Sequence, residues 1–140
     1  MTNKIVVVGG VAAGATAAAK ARRTDENAEI TLIEKGEYIT YANCGIPYHL
    51  GGVIPQRDKL LLHTPESFGQ RFNVKVLVNT EAVQIDTARK QIKTLSHGKP
   101  DYIDYDRLIL ANGAEPVLPP VKGLNESDFF RLSNNFSVNS

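Results

Sequence analysis

Two short stretches of this sequence and one glutamate between them carry residue types that can do chemistry. The first stretch is Gly9-Gly10-Val11-Ala12-Ala13-Gly14, and the second is Tyr41-Ala42-Asn43-Cys44-Gly45-Ile46-Pro47-Tyr48. Measured against G-x-G-x-x-G, the first keeps the outer two glycines and has Val11 in place of the middle one. Gly9 permits a tight turn, and the free backbone N–H groups of a helix start form an anion site suited to a pyrophosphate. Gly14 allows the helix to pack closely on the preceding strand. Glu34 lies 20 residues beyond Gly14, where a carboxylate can accept both hydrogen bonds of a ribose diol. The plainer alternative is a glycine-rich strand–helix turn with a surface glutamate. It requires strand, glycines, helix and acid to fall in register by accident.

Cys44 is the one cysteine of the chain. An intrachain disulfide and a cysteine-based zinc cluster are therefore both excluded. Pro47 suits the first turn of a helix, which puts Cys44 just before or at a helix N-terminus. The partial positive charge there favours a thiolate. Taken alone, a lone cysteine in a mixed apolar segment is more often a small buried hydrophobe. His49, His63 and His97 show no metal-ligand spacing and read as surface or structural residues, so no metal site is expected.

These residues need elements to hold them. Lys4–Val8 reads as a short apolar strand, Val11–Arg23 as an alanine-rich helix with a basic end, and Glu29–Glu34 as a second strand. That is a βαβ unit of just over thirty residues. Residues 38–52 read as a loop passing into a short helix, and 56–71 as loop and helix. After Val74–Val78, the segments Glu81–Asp86, Gln91–Leu95 and Asp101–Tyr105 alternate with polar turns, as in an antiparallel meander. Arg107–Ala111 is a further apolar strand, and Asn125–Ser140 is polar and expected to be loose.

Bulk properties narrow the class. The 140 residues, 42% hydrophobic, suit one domain with a core. A net charge of +1 argues against a nucleic-acid protein or a polybasic membrane binder. With neither a membrane-spanning run nor a signal-peptide pattern, a cytoplasmic location is expected.

Together, GGVAAG and YANCGIPY around Glu34 resemble the pyridine nucleotide–disulfide oxidoreductases, and most of all their single-cysteine, coenzyme A disulfide reductase-like branch. The likeness continues through Thr64-Pro65-Glu66 and residues 105–114. It implies an α/β, Rossmann-like FAD-binding domain over residues 1–133, incomplete, with a parallel sheet and an antiparallel β-meander, then a polar tail over 134–140. It further implies that Gly9, Gly10, Ala12, Ala13, Gly14, Glu34 and Lys35 hold the cofactor, with Val83 meeting the adenine through its backbone. Ala111 and Gly113 would pass the flavin, and Cys44 and Asn43 would face it. Thr16, Lys20, Arg23, Thr40 and Asn43 fall where the family contacts coenzyme A. Lys20 and Arg23 suit an anionic substrate, but two cations at a helix end are equally an ordinary solvated face. Tyr41 and Tyr48 suit either a pocket wall or plain packing.

Three departures matter. Asn112 replaces a small residue, Phe72 stands where some relatives have a lysine for coenzyme A, and Ala12 stands where the peroxidase branch has a histidine. With one thiol, electrons cannot be stored in an internal disulfide; Cys44 must cycle with an external partner, as a mixed disulfide or a sulfenic acid. The expected activity is NAD(P)H-dependent, FAD-mediated reduction of coenzyme A disulfide by a homodimeric full-length enzyme. The chain alone is expected to bind FAD weakly and not to turn over. An NADH oxidase of the same branch and an inert nucleotide-binding module are the alternatives.

Overall fold

The structure, a computed structural model, describes residues 2–115, 117 and 119–123. The elements are β1 (Lys4–Val8), α1 (Ala12–Thr24), β2 (Glu29–Ile33), α2 (Ile46–Leu50), α3 (Pro65–Phe72), β3 (Lys75–Leu77), β4 (Thr80–Asp86), β5 (Gln91–Ser96), β6 (Lys99–Asp104) and β7 (Arg107–Leu110). Single 3-10 turns cover Asn43–Gly45 and Arg57–Leu60.

The apolar runs behave as a doubly covered parallel sheet requires. Strands β3, β2, β1 and β7 pair in that order, all parallel. Side chains alternate between the two faces, so neighbouring residues of β1 enter different cores. Val7 stands in register with Leu32 and Ile109, and these pack with Ala15, Ala18, Ala19 and Phe68 beneath the helices. Val6 stands in register with Leu108, and its face packs with Ile33, Ile92 and Tyr105 against the meander. The meander is a three-stranded antiparallel sheet in the order β4-β5-β6. The result is three layers: helices, parallel sheet, meander. Alanines bring α1 close to the sheet, which Leu or Phe at those positions would prevent.

The expected elements are present with shifted ends. The third meander strand begins at Lys99 instead of Asp101, because His97 and Gly98 make a tight two-residue hairpin with φ of 48° and 78°. Pro100 fits because β6 is an edge strand. Helix α3 starts on a reciprocal cap between Thr64 and Ser67, with Pro65 in its first turn. The domain boundary expected at residue 133 and the tail expected over 134–140 lie outside the described residues. Among the described residues no helix is long and apolar enough to cross a membrane.

Arg22 joins the helical layer together. Its Nε donates to the Phe72 carbonyl (3.1 Å), Nη1 to those of Asp25 and Glu26 (3.3 and 2.6 Å), and Nη2 to those of Ala28 and Asn73 (2.8 and 2.7 Å). One guanidinium thereby satisfies the carbonyl ends of α1 and α3 and the lead into β2. Arg22→Ala is expected to lower unfolding free energy by about 2–4 kcal/mol, since bonds from a charged donor count for more than neutral ones. Arg22→Lys should recover less than half of that, because an ammonium lacks the planar fork. Denaturant titration of the three proteins checks both.

Candidate nucleotide cleft and the Cys44 turn

The glycine loop is fixed by backbone crowding. Gly9 has φ +101°, and a Cβ on it would overlap the carbonyl oxygen of Ala111. A Cβ on Gly14 would in turn overlap the carbonyl oxygen of Gly9. Helix α1 therefore rests directly on the loop, and the loop on the chain leaving β7. Gly10 is tight for a different reason: its Cβ would fall 2.7 Å from the Ile39 side chain and 3.1 Å from Cβ of Glu34. Val11, at the middle-glycine position, packs partly buried against the cluster of Tyr41, Ile46 and Leu60.

Glu34, the first residue after β2, is the electrostatic anchor. The Gly10 N–H donates to its Oε2 (2.7 Å) and the Gly36 N–H to its Oε1 (2.8 Å). Each carboxylate oxygen keeps a second lone pair, so a ribose diol can still be accepted. At Val11, which caps α1, no side chain bonds to the helix start, and the first turn holds no acidic residue. The dipole end of a 13-residue helix is thus open.

These features line one cleft of about 770 Å³, which is within the range of small-molecule sites. It lies at the carboxyl ends of the parallel strands, between β1 and β7, where the strand order reverses. Gly9, Ala12, Ala13, Glu34, Lys35, Asn43, Ala111 and Gly113 line it. Gly10 and Gly14 are buried behind it. Val83 does not line it; Glu81 and Ala82 do. Val83 occupies a β-bulge, since Ala82 pairs with Thr94 and Gln84 with Lys93, leaving Val83 no opposite residue in the β4–β5 ladder. Lys35 forms a 3.2 Å ion pair with Glu81 across the cleft mouth, with both side chains well exposed. Such a pair contributes at most about 1 kcal/mol.

Cys44 is exposed in the 3-10 turn immediately before α2, with Pro47 in the first turn of that helix. Its N–H donates to Asn43 Oδ1 (3.0 Å), and Asn43 itself reaches the cleft. The other residues expected near a substrate are not gathered here. Thr16, Lys20 and Arg23 lie exposed along α1 at a spacing that repeats on one helix face, and none lines the cleft. Thr40 is buried. Sequence reasoning did not single out Tyr38, Thr80, Glu81 or Ala82, which also line the cleft. Their signal was positional: each follows the carboxyl end of a parallel strand.

Tyr41 is also in the wall and is 8% exposed. Burial first, and then the nearby Glu34 carboxylate, push its phenol above the ordinary tyrosine range. A phenol raised on folding holds its proton more tightly in the native state. Its stabilising contribution is therefore complete below the unfolded value of about 10 and is lost as pH rises through the folded one. Alkaline titration of phenolate absorbance should show one late-ionising tyrosine that Tyr41→Phe removes. Tyr41→Phe should also flatten the fall in melting temperature on the alkaline side.

Residues 3–138 match the pyridine nucleotide-disulphide oxidoreductase family. The chain is 40% identical over 114 residues to a coenzyme A disulfide reductase of Staphylococcus epidermidis, covering 80% of this chain and 26% of that protein. It is 33% identical over 130 residues to an NADH oxidase of Methanocaldococcus jannaschii, covering 92% and 29%. Among solved structures, the reduced CoADR-RHD of Bacillus anthracis superposes with a TM-score of 0.83 at 46% identity, over 86% of this chain and 22% of that one. The chain thus spans between a quarter and a third of the length of these curated relatives. It belongs to the pyridine nucleotide-disulphide oxidoreductase family, whose enzymes use FAD and NAD(P)H.

Proposed function

We propose that this chain is the FAD-binding portion of a cytoplasmic, homodimeric NAD(P)H oxidoreductase that reduces coenzyme A disulfide, or a similar small disulfide, through Cys44. The observation that carries the reading is the open end of α1, facing a cleft that also holds the Glu34 carboxylate and Asn43. An FAD fits this cleft by its chemistry. The pyrophosphate would meet the N–H groups of Ala12 and Ala13, the ribose would meet Glu34, and the adenine would meet Glu81 and Ala82, beside the bulge. Gly9, Ala111 and Gly113 leave room for a flat ring system, since a glycine at 113 with φ +72° brings backbone alone to the surface. Bound there, FAD supplies the two-electron chemistry that links NAD(P)H to a disulfide.

The protein's own part is to place the thiol. As a thiolate, Cys44 attacks one sulfur of the substrate, forming a protein–substrate disulfide and expelling the other half as a thiolate. Two electrons must then return the sulfur to the thiolate, and no second cysteine of this chain can supply them. Lys20, Arg23 and Thr16 offer an exposed cationic and polar stripe for the phosphates of coenzyme A. The likeness to the M. jannaschii NADH oxidase supports a second reading with oxygen as acceptor: O2 and two electrons from NADH would convert the Cys44 thiol to a sulfenic acid and one water, and two further electrons would return it to the thiol with a second water.

Two linked tests follow. Ala12 is exposed in the first turn of α1. Ala12→Asp suits the helix dipole but competes with a phosphate, so FAD affinity should fall about tenfold or more while the melting temperature does not. Incubation with coenzyme A disulfide should add one coenzyme A to the wild-type mass and none to Cys44→Ser. Unchanged FAD binding by the first variant, or no adduct on the wild type, would count against the reading.

A further inference from the structure

Thr40 is a β-branched residue with φ 51°, a conformation that such side chains rarely hold, and it is 7% exposed. A glycine or asparagine would adopt this backbone more cheaply. A residue kept there must be over-determined by its surroundings. Its contacts show how. The Thr40 N–H donates to the Gly10 carbonyl (2.9 Å), and its own carbonyl accepts from the Leu62 N–H (3.3 Å). Its hydroxyl donates to the His63 carbonyl (3.1 Å) and accepts from the His63 N–H (3.0 Å). One residue therefore ties the glycine loop on one side to Leu62 and His63 on the other. Tyr41 and Ala42 continue that pairing, with Tyr41 bridged to Leu61 and the Ala42 N–H donating to the Leu60 carbonyl (2.8 Å). Cys44 follows two residues later.

We infer that Thr40 is a positioning residue: its buried hydroxyl holds it to the His63 backbone while its N–H holds the Gly10 carbonyl, so that the segment carrying Cys44 and the glycine loop keep one fixed geometry. The hydroxyl both donates to and accepts from the His63 backbone, so its part in the lock is exerted through residues 62–63. The inference rests on the proposed role of Cys44 only for its functional consequence; the lock itself is a property of the chain.

The experiment compares the whole chain with Thr40→Val, which keeps the shape and loses the hydroxyl, and Thr40→Ser, which keeps the hydroxyl. In Thr40→Val, amide hydrogen exchange at Ala42, Leu62 and His63 should quicken about tenfold while β1 and the middle of α1 are unchanged, and Thr40→Ser should restore most of the protection. With FAD added to saturation, alkylation of Cys44 by iodoacetamide should slow in the wild type and in Thr40→Ser, and hardly at all in Thr40→Val. Equal exchange in wild type and Thr40→Val, or loosening spread evenly over β1 and α1, would overturn the inference. Should Thr40→Val not fold, wild-type exchange decides: the amides of Thr40, Leu62 and His63 should open together, and separate opening would refute the lock. If FAD binds the wild type but leaves Cys44 alkylation unchanged, the thiol does not face the cofactor and the proposed function fails, while the exchange result still judges Thr40.

Discussion

Helix α1 sits on the carbonyl of Gly9, and Gly9 sits on the carbonyl of Ala111, with no room for a Cβ at either glycine. That stack of three backbones sets the distance between the helix, the end of β1 and the end of β7. Everything around the cleft follows from it. The helix can be this close because its inner face is Gly14, Ala15, Ala18 and Ala19. The cleft opens beside that stack, at the carboxyl ends of β1 and β7. At the start of α1 the lining is backbone, and the polar groups offered there are N–H groups with fixed directions, which suit an anion better than mobile side chains would.

Electrostatics then orders the loop. The two bonds from Gly10 and Gly36 to the Glu34 carboxylate are charge-assisted, and contributions of about 1.5–3 kcal/mol are typical for such bonds. The exposed Lys35–Glu81 pair contributes at most about 1 kcal/mol, so it shapes the cleft mouth without fixing it. Glu34 thus has two tasks in one position: it holds the loop in place and still presents lone pairs toward a ligand. Burial first, and then this same carboxylate, raise the Tyr41 phenol.

Much of this was legible from sequence because local rules and packing agree there. An apolar run, glycines, alanines and an acid at fixed spacing leave few alternatives, and β1, α1, β2 and the cleft residues Gly9, Ala12, Ala13 and Glu34 fall where the pattern put them. The rest depended on contacts between distant segments. Arg22 and Arg23 are adjacent cations, and nothing in the sequence marks Arg22 as the one that binds carbonyls from residues 25 to 73. Thr40 reads as a polar loop residue until its partners at Gly10 and His63 are known. The bulge at Val83 is invisible in an alternating strand, because it depends on the register of β5.

The anion cradle proposed above lies at the first turn of α1. The direct measurement is an amide chemical-shift titration of the chain with ADP. Saturable shifts are expected, largest at Gly10, Ala12 and Ala13, with Gly36 following through Glu34. Saturable binding whose shifts instead centre on Thr16, Lys20 and Arg23, leaving the glycine loop unmoved, would contradict it.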